Sequence, residues 1–224
     1  MMYIDYKLKQ GSEEWHELKN AKIGGTRAKS VQVKKSITEA VIFDEVMSER
    51  NTFFNYEEGF TSEAMQRGID LEPLAIEEVT KETGIIFKDA GWIGRNDFHG
   101  HSPDGISLCE KIGLEIKCPS AKVHNSYVRE NKIPLEYVWQ IVNFFAMDES
   151  IERLYFASFN PDYLLMPLFL LEVTRESIIF TSKKDSAIVS ELAADLNKNV
   201  DDLILKIKQE EKVIIQRISN KLKF

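Results

Sequence analysis

At 224 residues the chain has room for one domain with a substantial core, or one domain with an appended helix. Its 43% apolar and 29% charged residues are ordinary for a soluble globular protein, and its net charge of −7 argues against coating nucleic acid by bulk attraction. Two cysteines, Cys109 and Cys118, without a CxxC pair make zinc unlikely and fit a reducing, cytoplasmic compartment where they stay unpaired. The amino-terminal residues lack the apolar stretch of a signal peptide, and the most apolar run, Leu164 to Leu171, is too short to cross a membrane.

In chain order, Ser12 caps a first helix whose opening turn carries Glu13 and Glu14 and whose buried side carries Trp15 and Leu18; it ends before Gly24-Gly25. A second helix runs from a Thr38 cap through Val41, Ile42, Val46 and Met47, and residues 51–60 form an irregular aromatic loop. Thr61 to Thr83 is helical and closed by Gly84. Met65, Gly68/Ile69, Glu72, Ile76 and Val79 share its core face. Glu72 in that stripe is either held by a partner or metal, or released to solvent by a break at Pro73. Strands follow at Ile85–Lys88, Gly91–Gly94 and in a hairpin over Ser102–Lys117. Pro134 opens a helix to Met147 that is apolar nearly all round, with Gln140 as its polar exception: a core glutamine or a group beside a site. Leu154–Phe159 and Leu165–Val173 are strands, and Pro167 predicts that the second lies at an edge or bulges. From Ser186 a three-four rhythm through Leu222 predicts a long helix, packed along the domain or used between subunits.

The hairpin carries the chemistry. Side chains alternate in a strand, so burying Leu114 and Ile116 sends Glu115 and Lys117 together to the other face. If Cys109-Glu110-Lys111 is the connection, Ile106 falls opposite Gly113 and Asp104 opposite Glu115. At about 4 Å and an effective dielectric near 20, two such carboxylates repel by roughly 4 kcal/mol, which calls for a cation. A hard divalent ion such as Mg²⁺ fits that oxygen set better than Lys117 alone. His99 and His101 read as structural or substrate-facing groups rather than as metal ligands.

Pro103-Asp104 followed by Glu115-Ile116-Lys117 resembles the PD-(D/E)xK nuclease superfamily. With Gly11-x-x-x-Trp15-His16-x-x-Lys19, Ile23-Gly24-Gly25-Thr26, Arg67-Gly68-x-x-x-Glu72, Ser102-Pro103-Asp104-Gly105 and Gln140 in order, residues 10 to 175 are similar to the phage lambda-type exonucleases, also called YqaJ-type viral recombinases. The resemblance implies an α/β (α+β) fold with a restriction-endonuclease-like core, a mixed central β-sheet flanked by helices. The expected division is a nuclease domain over 1–180 and a C-terminal helical extension over 181–224. It further implies Mg²⁺-dependent 5′-to-3′ digestion of one strand of double-stranded DNA from a free end, releasing mononucleotides and leaving a 3′ overhang. The expected assembly is a homotrimeric ring working with a single-strand annealing protein in a bacterial host cell, phage or prophage encoded.

By matching position, Asp104, Glu115 and the Ile116 carbonyl hold one ion, Asp104 and Glu72 the second, with Mn²⁺ able to substitute. Lys117 activates or positions water. Trp15, Lys19, Thr26 and Arg27 form the 5′-phosphate region, and Gln140 lies near the catalytic lysine. Lys19 stands where the family commonly has arginine, so it lacks the planar fork for phosphate. The competing readings are an endonuclease of the same superfamily, of restriction or junction-resolving type, and a catalytically inactive DNA-binding protein.

Overall fold

The computed structural model describes residues 2–32, 36–56 and 61–221. A three-stranded antiparallel sheet joins β1 (Tyr3–Asp5), β3 (Trp92–Asn96) and β4 (His99–His101) in the order β1-β3-β4. The central sheet takes β2 (Phe87–Lys88), β5 (Gly105–Ser107), β6 (Ile112–Lys117), β7 (Arg153–Phe159) and β8 (Leu168–Thr174) in the order β2-β5-β6-β7-β8. Only β6 and β7 within it are parallel, so the sheet is mixed. A parallel pair needs a long crossover, supplied here by α5 (Ala121–Glu130) and α6 (Val138–Phe145). A ribbon of β9 (Ile178–Phe180) and β10 (Ser186–Ile188) leads into α7 (Val189–Lys221).

The amino-terminal half holds α1 (Glu13–Lys19), α2 (Gly25–Gln32), α3 (Ser36–Arg50) and α4 (Glu63–Thr83). Local chemistry sets their ends. Ser12 accepts from the Trp15 N–H, Ser62 caps α4 in the same way, and Gly84 closes α4 at φ 70°. Two apolar clusters lie on the two faces of the central sheet. On one, Ala75 and Val79 of α4 pack against Phe87, Leu114, Ile116, Tyr155 and Ala157. On the other, α2, α3, α6 and α7 meet around Ala28, Val46, Ile141, Phe144, Leu196 and Val200. Each fully buried aliphatic or aromatic side chain contributes roughly 1.5–3 kcal/mol. Gly113 of β6 faces α6 so closely that a Cβ there would stand 2.4 Å from the Phe144 ring. Glycine is what allows that helix to approach the strand carrying Glu115 and Lys117.

Several expectations shift. The α3 helix runs from Ser36, so Thr38 lies within its first turn and is not a cap. Of the stripe expected on α4, Val79 is buried and Ile76 partly so, whereas Met65 and Ile69 are exposed; Ala75, outside that stripe, is buried as well. Pro73 lies inside this helix without ending it. The helix expected from Pro134 forms from Val138, after a turn. Pro167 immediately precedes β8, which is indeed an edge strand. The strands β1, β4, β9 and β10 and the helices α2 and α5 add to those expected. Residues 57–60 of the aromatic loop and Leu222 lie outside the described residues. Cys109 and Cys118 are unpaired, and no helix among the described residues is long and apolar enough to cross a membrane. The first half of α7 is part of the main core through Val189, Ala193, Leu196, Val200, Leu203 and Ile207, while Ile215 and Ile218 of its second half are exposed.

Candidate active site

The register of β5 against β6, Gly105 opposite Leu114 and Ile106 opposite Gly113, continues to Asp104 opposite Glu115. The Asp104 N–H donates to the Leu114 carbonyl at 3.1 Å, and Asp104 Oδ2 accepts from the Ile116 N–H at 2.6 Å. Glu115 is buried, and its Oε1 lies 2.5 Å from Lys117 Nζ, which is 3.9 Å from Asp104 Oδ2. A buried and a half-buried carboxylate thus share one ammonium. Burial, and then the charge of Glu115, push the Asp104 carboxyl up to about 7. Burial works against the charge of Lys117, but Glu115 and Asp104 outweigh it and hold its pKa above the usual lysine value. Lys117 is therefore a cation here.

Glu72 approaches from the other face. It belongs to α4, which packs on the Leu114 and Ile116 side of β6, whereas Glu115 and Lys117 project toward α6. Burial first and Asp104 second push the Glu72 carboxyl up to about 7, so the two acids are near enough to repel. Among the described residues, no three of the His, Cys, Asp and Glu side chains stand together closely enough to hold a metal ion. Asp104 and Glu115 are brought together, and Glu72 stands off from them. The Asp104–Glu115 pair nevertheless suits a hard divalent cation: all its donors are carboxylate oxygens, and the two acids have only one ammonium between them.

Tyr137, at the start of α6, covers this group. Its ring centroid is 5.1 Å from Lys117 Nζ. Its ring also tilts against Phe156 at 5.6 Å, and the neighbouring Tyr127 donates to Glu136 at 2.6 Å. Tyr137 was hidden in the sequence because an aromatic heading an apolar helix reads as core.

A second concave region opens at the start of α2. It is a cavity of about 440 Å³ lined by His16, Lys19, Lys22, Thr26, Arg27, Glu49 and Tyr56, among others. Trp15 lies beside it in α1, with Nε1 donating to Ser102 Oγ at 3.0 Å and to the Gly91 carbonyl at 3.2 Å. Lys19 Nζ sits 3.6 Å from the centroid of the Trp15 ring. Burial, and then Arg27, lower the Lys19 pKa to about 8. Arg27 is held by Glu49, a partner too distant in sequence to suggest itself.

Between the two regions lie His101 and Gln140. A Cβ on Gly25 would stand 3.3 Å from both the Gln140 side chain and the His101 ring, a tight contact that places the start of α2 directly against both. Asn143 fixes the neighbouring histidines. Its Nδ2 donates to the Gly100 carbonyl at 2.9 Å, which orients the amide. Its Oδ1 then accepts from His99 Nε2 at 2.7 Å, and its Nδ2 reaches His101 Nδ1 at 3.1 Å. Burial above all lowers His99 to about 4 and His101 to about 3, so both rings are neutral and bind β4 to α6.

A mixed sheet whose central hairpin pairs Asp104 with Glu115 and Lys117 defines a protein of the PD-(D/E)xK nuclease class. Residues 14–147 match the model of the YqaJ-like viral recombinase domain, and the chain belongs to that family, the family of the lambda-type exonucleases. It is similar over 94% of its length to all of an alkaline exonuclease (LHK-Exo) from Laribacter hongkongensis, with 25% identity and a TM-score of 0.74. The structure of LHK-Exo in complex with dAMP is similar over the same 94% and 100% of the two chains, at 26% identity and a TM-score of 0.72. Among curated proteins, none matches the chain.

Proposed function

We propose that this protein is a Mg²⁺-dependent exonuclease that digests one strand of double-stranded DNA from its 5′ end. It would release mononucleotides and leave a 3′ overhang for recombination by strand annealing. The observation that carries this reading is the convergence of Asp104, Glu115 and Lys117 on paired strands, in a chain of the YqaJ-like family. Likeness to an alkaline exonuclease over 94% of the chain supports the exonuclease assignment. Asp104, Glu115 and the Ile116 carbonyl would hold one divalent ion, and Asp104 with Glu72 a second. Such ions neutralise phosphodiester charge and make water nucleophilic at neutral pH. Lys117, a cation beside two acids, orients the attacking water and stabilises charge developing on the phosphate; a lysine held protonated is not the base. Tyr137 shields that ammonium on one side. The cavity lined by Lys19, Thr26 and Arg27, with Trp15 under Lys19, would take the 5′-phosphate, and Gln140, between cavity and catalytic centre, would face the strand passing from one to the other.

We take residues 1–180 as the nuclease domain and 181–224 as its C-terminal extension, acting in the cytoplasm of a bacterial host. A chain of net charge −7 holds DNA poorly by attraction alone. Enclosure in a homotrimeric ring is the reading that reconciles this charge with processive digestion, and a single-strand annealing protein is the expected partner. Light scattering is expected to give three times the monomer mass; a monomer at all concentrations would contradict the ring. The activity itself is tested with linear and covalently closed circular duplex in Mg²⁺. Linear DNA is expected to be degraded to mononucleotides from the 5′ end, the circle to survive, and chelator to stop the reaction. Cleavage of the circle would instead make the protein an endonuclease.

A further inference from the structure

The cavity at the start of α2 contains an acid that a phosphate site would not be expected to keep. Three cations, Lys19, Lys22 and Arg27, line it together with Glu49. Glu49, from the last turn of α3, accepts from Arg27 Nη1 at 2.8 Å with one oxygen and pairs with Arg27 Nη2 through the other. The same Oε2 accepts from the Ala21 N–H at 2.8 Å, and the Glu49 carbonyl accepts from Asn20 Nδ2 at 3.4 Å. Arg27 Nη1 also donates to the Lys22 carbonyl at 3.1 Å. The loop Asn20-Ala21-Lys22 is thereby tied at each of its residues. It needs such ties, because Ala21 has φ 58°, a left-handed conformation that disfavours a residue with a side chain.

These bonds occupy the two-pronged face of Arg27 with a carboxylate, whose planar pair of oxygens presents what a phosphate would present. Lys22 Nζ donates to the Asp97 carbonyl at 2.8 Å. Lys19 lies over the Trp15 ring, with no anionic side chain within ion-pair distance among the described residues.

We infer that Glu49 is a positioning residue of this cavity: with Arg27 it forms a strut that fixes the 20–22 loop, and Lys19, not Arg27, meets the charge of the 5′-phosphate. This rests on the reading of the cavity as the 5′-phosphate site and assigns the roles within it. Removing Arg27 alone leaves the Glu49 carboxylate unopposed where an anion must bind. Removing both charges leaves the net charge of the cavity unchanged, with Lys19 and Lys22 still lining it, and glutamine at 49 still accepts from the Ala21 N–H.

The test uses the full chain in Mg²⁺ and the ratio of kcat/KM for duplexes of one sequence carrying 5′-phosphate or 5′-hydroxyl ends. Arg27→Met is expected to lower this ratio about tenfold, the size of one charge-assisted contact, through KM for phosphorylated ends. Arg27→Met with Glu49→Gln is expected to recover the wild-type ratio to within about twofold. Lys19→Met is expected to bring the ratio close to one. A double variant as deficient as Arg27→Met would show that neutralising Glu49 does not offset the loss of Arg27 and would overturn the inference. If Arg27→Met does not fold, the double variant decides alone, by recovery or loss of the ratio. A wild-type ratio near one would overturn the 5′-phosphate reading and the inference with it, whereas a high wild-type ratio without recovery overturns the inference only.

Discussion

Lys117→Met is expected to lower kcat by about 10²–10⁴-fold while KM for duplex DNA changes little. The argument is electrostatic. Lys117 Nζ is 2.5 Å from Glu115 and 3.9 Å from Asp104, and those acids hold it protonated although it is half-buried. A fixed ammonium of this kind acts on charge that develops in the transition state more than on bound substrate, so its loss appears in kcat. Methionine has similar length and keeps packing beside Tyr137, which separates the charge from its volume. Steady-state kinetics on linear duplex measures this. Near-normal kcat would show that Lys117 is a structural counter-ion only.

Asp104→Asn is expected to abolish detectable Mg²⁺-dependent digestion and yet stabilise the metal-free protein. Asparagine can still accept from the Ile116 N–H through its carbonyl oxygen, so the strand contact at 2.6 Å survives. What disappears is a charge that burial and Glu115 oppose. Its carboxyl is raised to about 7 in the folded chain, from near 4 when unfolded, so the folded state binds more protons between those values. Stability then falls as pH rises from about 4 through about 7, and above that window the wild type carries the whole cost. In chelator at pH 8, urea denaturation should show Asp104→Asn more stable by on the order of 1–4 kcal/mol. A variant less stable than wild type would mean that Asp104 serves mainly to hold the hairpin.

The hairpin was legible because its signals agree. Leu114 and Ile116 alternate with Gly113, Glu115 and Lys117, and a one-residue slip would have buried Glu115 among the residues packed on α4. Helix ends at Ser12 and Gly84 were legible for the same reason, since cap chemistry is local. Other elements carry no such pattern. The α2 helix, Gly25–Gln32, buries only Ala28 and is polar almost all round. β4 is His-Gly-His, and its histidines are buried through Asn143 instead of through an apolar face. α5 buries His124 and Tyr127, so no aliphatic stripe announces it. Within the site, Asp104, Glu115 and Lys117 lie within fourteen residues of one another, and periodicity alone brings them together. The distance of Glu72 from them depends on which face of the sheet α4 covers, and the Arg27–Glu49 pair on how α3 returns to α2. Both are tertiary facts with no local trace.

Titration calorimetry with Mg²⁺, in the absence of DNA, tests the central claim most directly. Saturable heat of binding in the wild type, lost in Glu115→Gln, is the predicted result. A wild-type protein that takes up no divalent ion at millimolar Mg²⁺ or Mn²⁺ would contradict it.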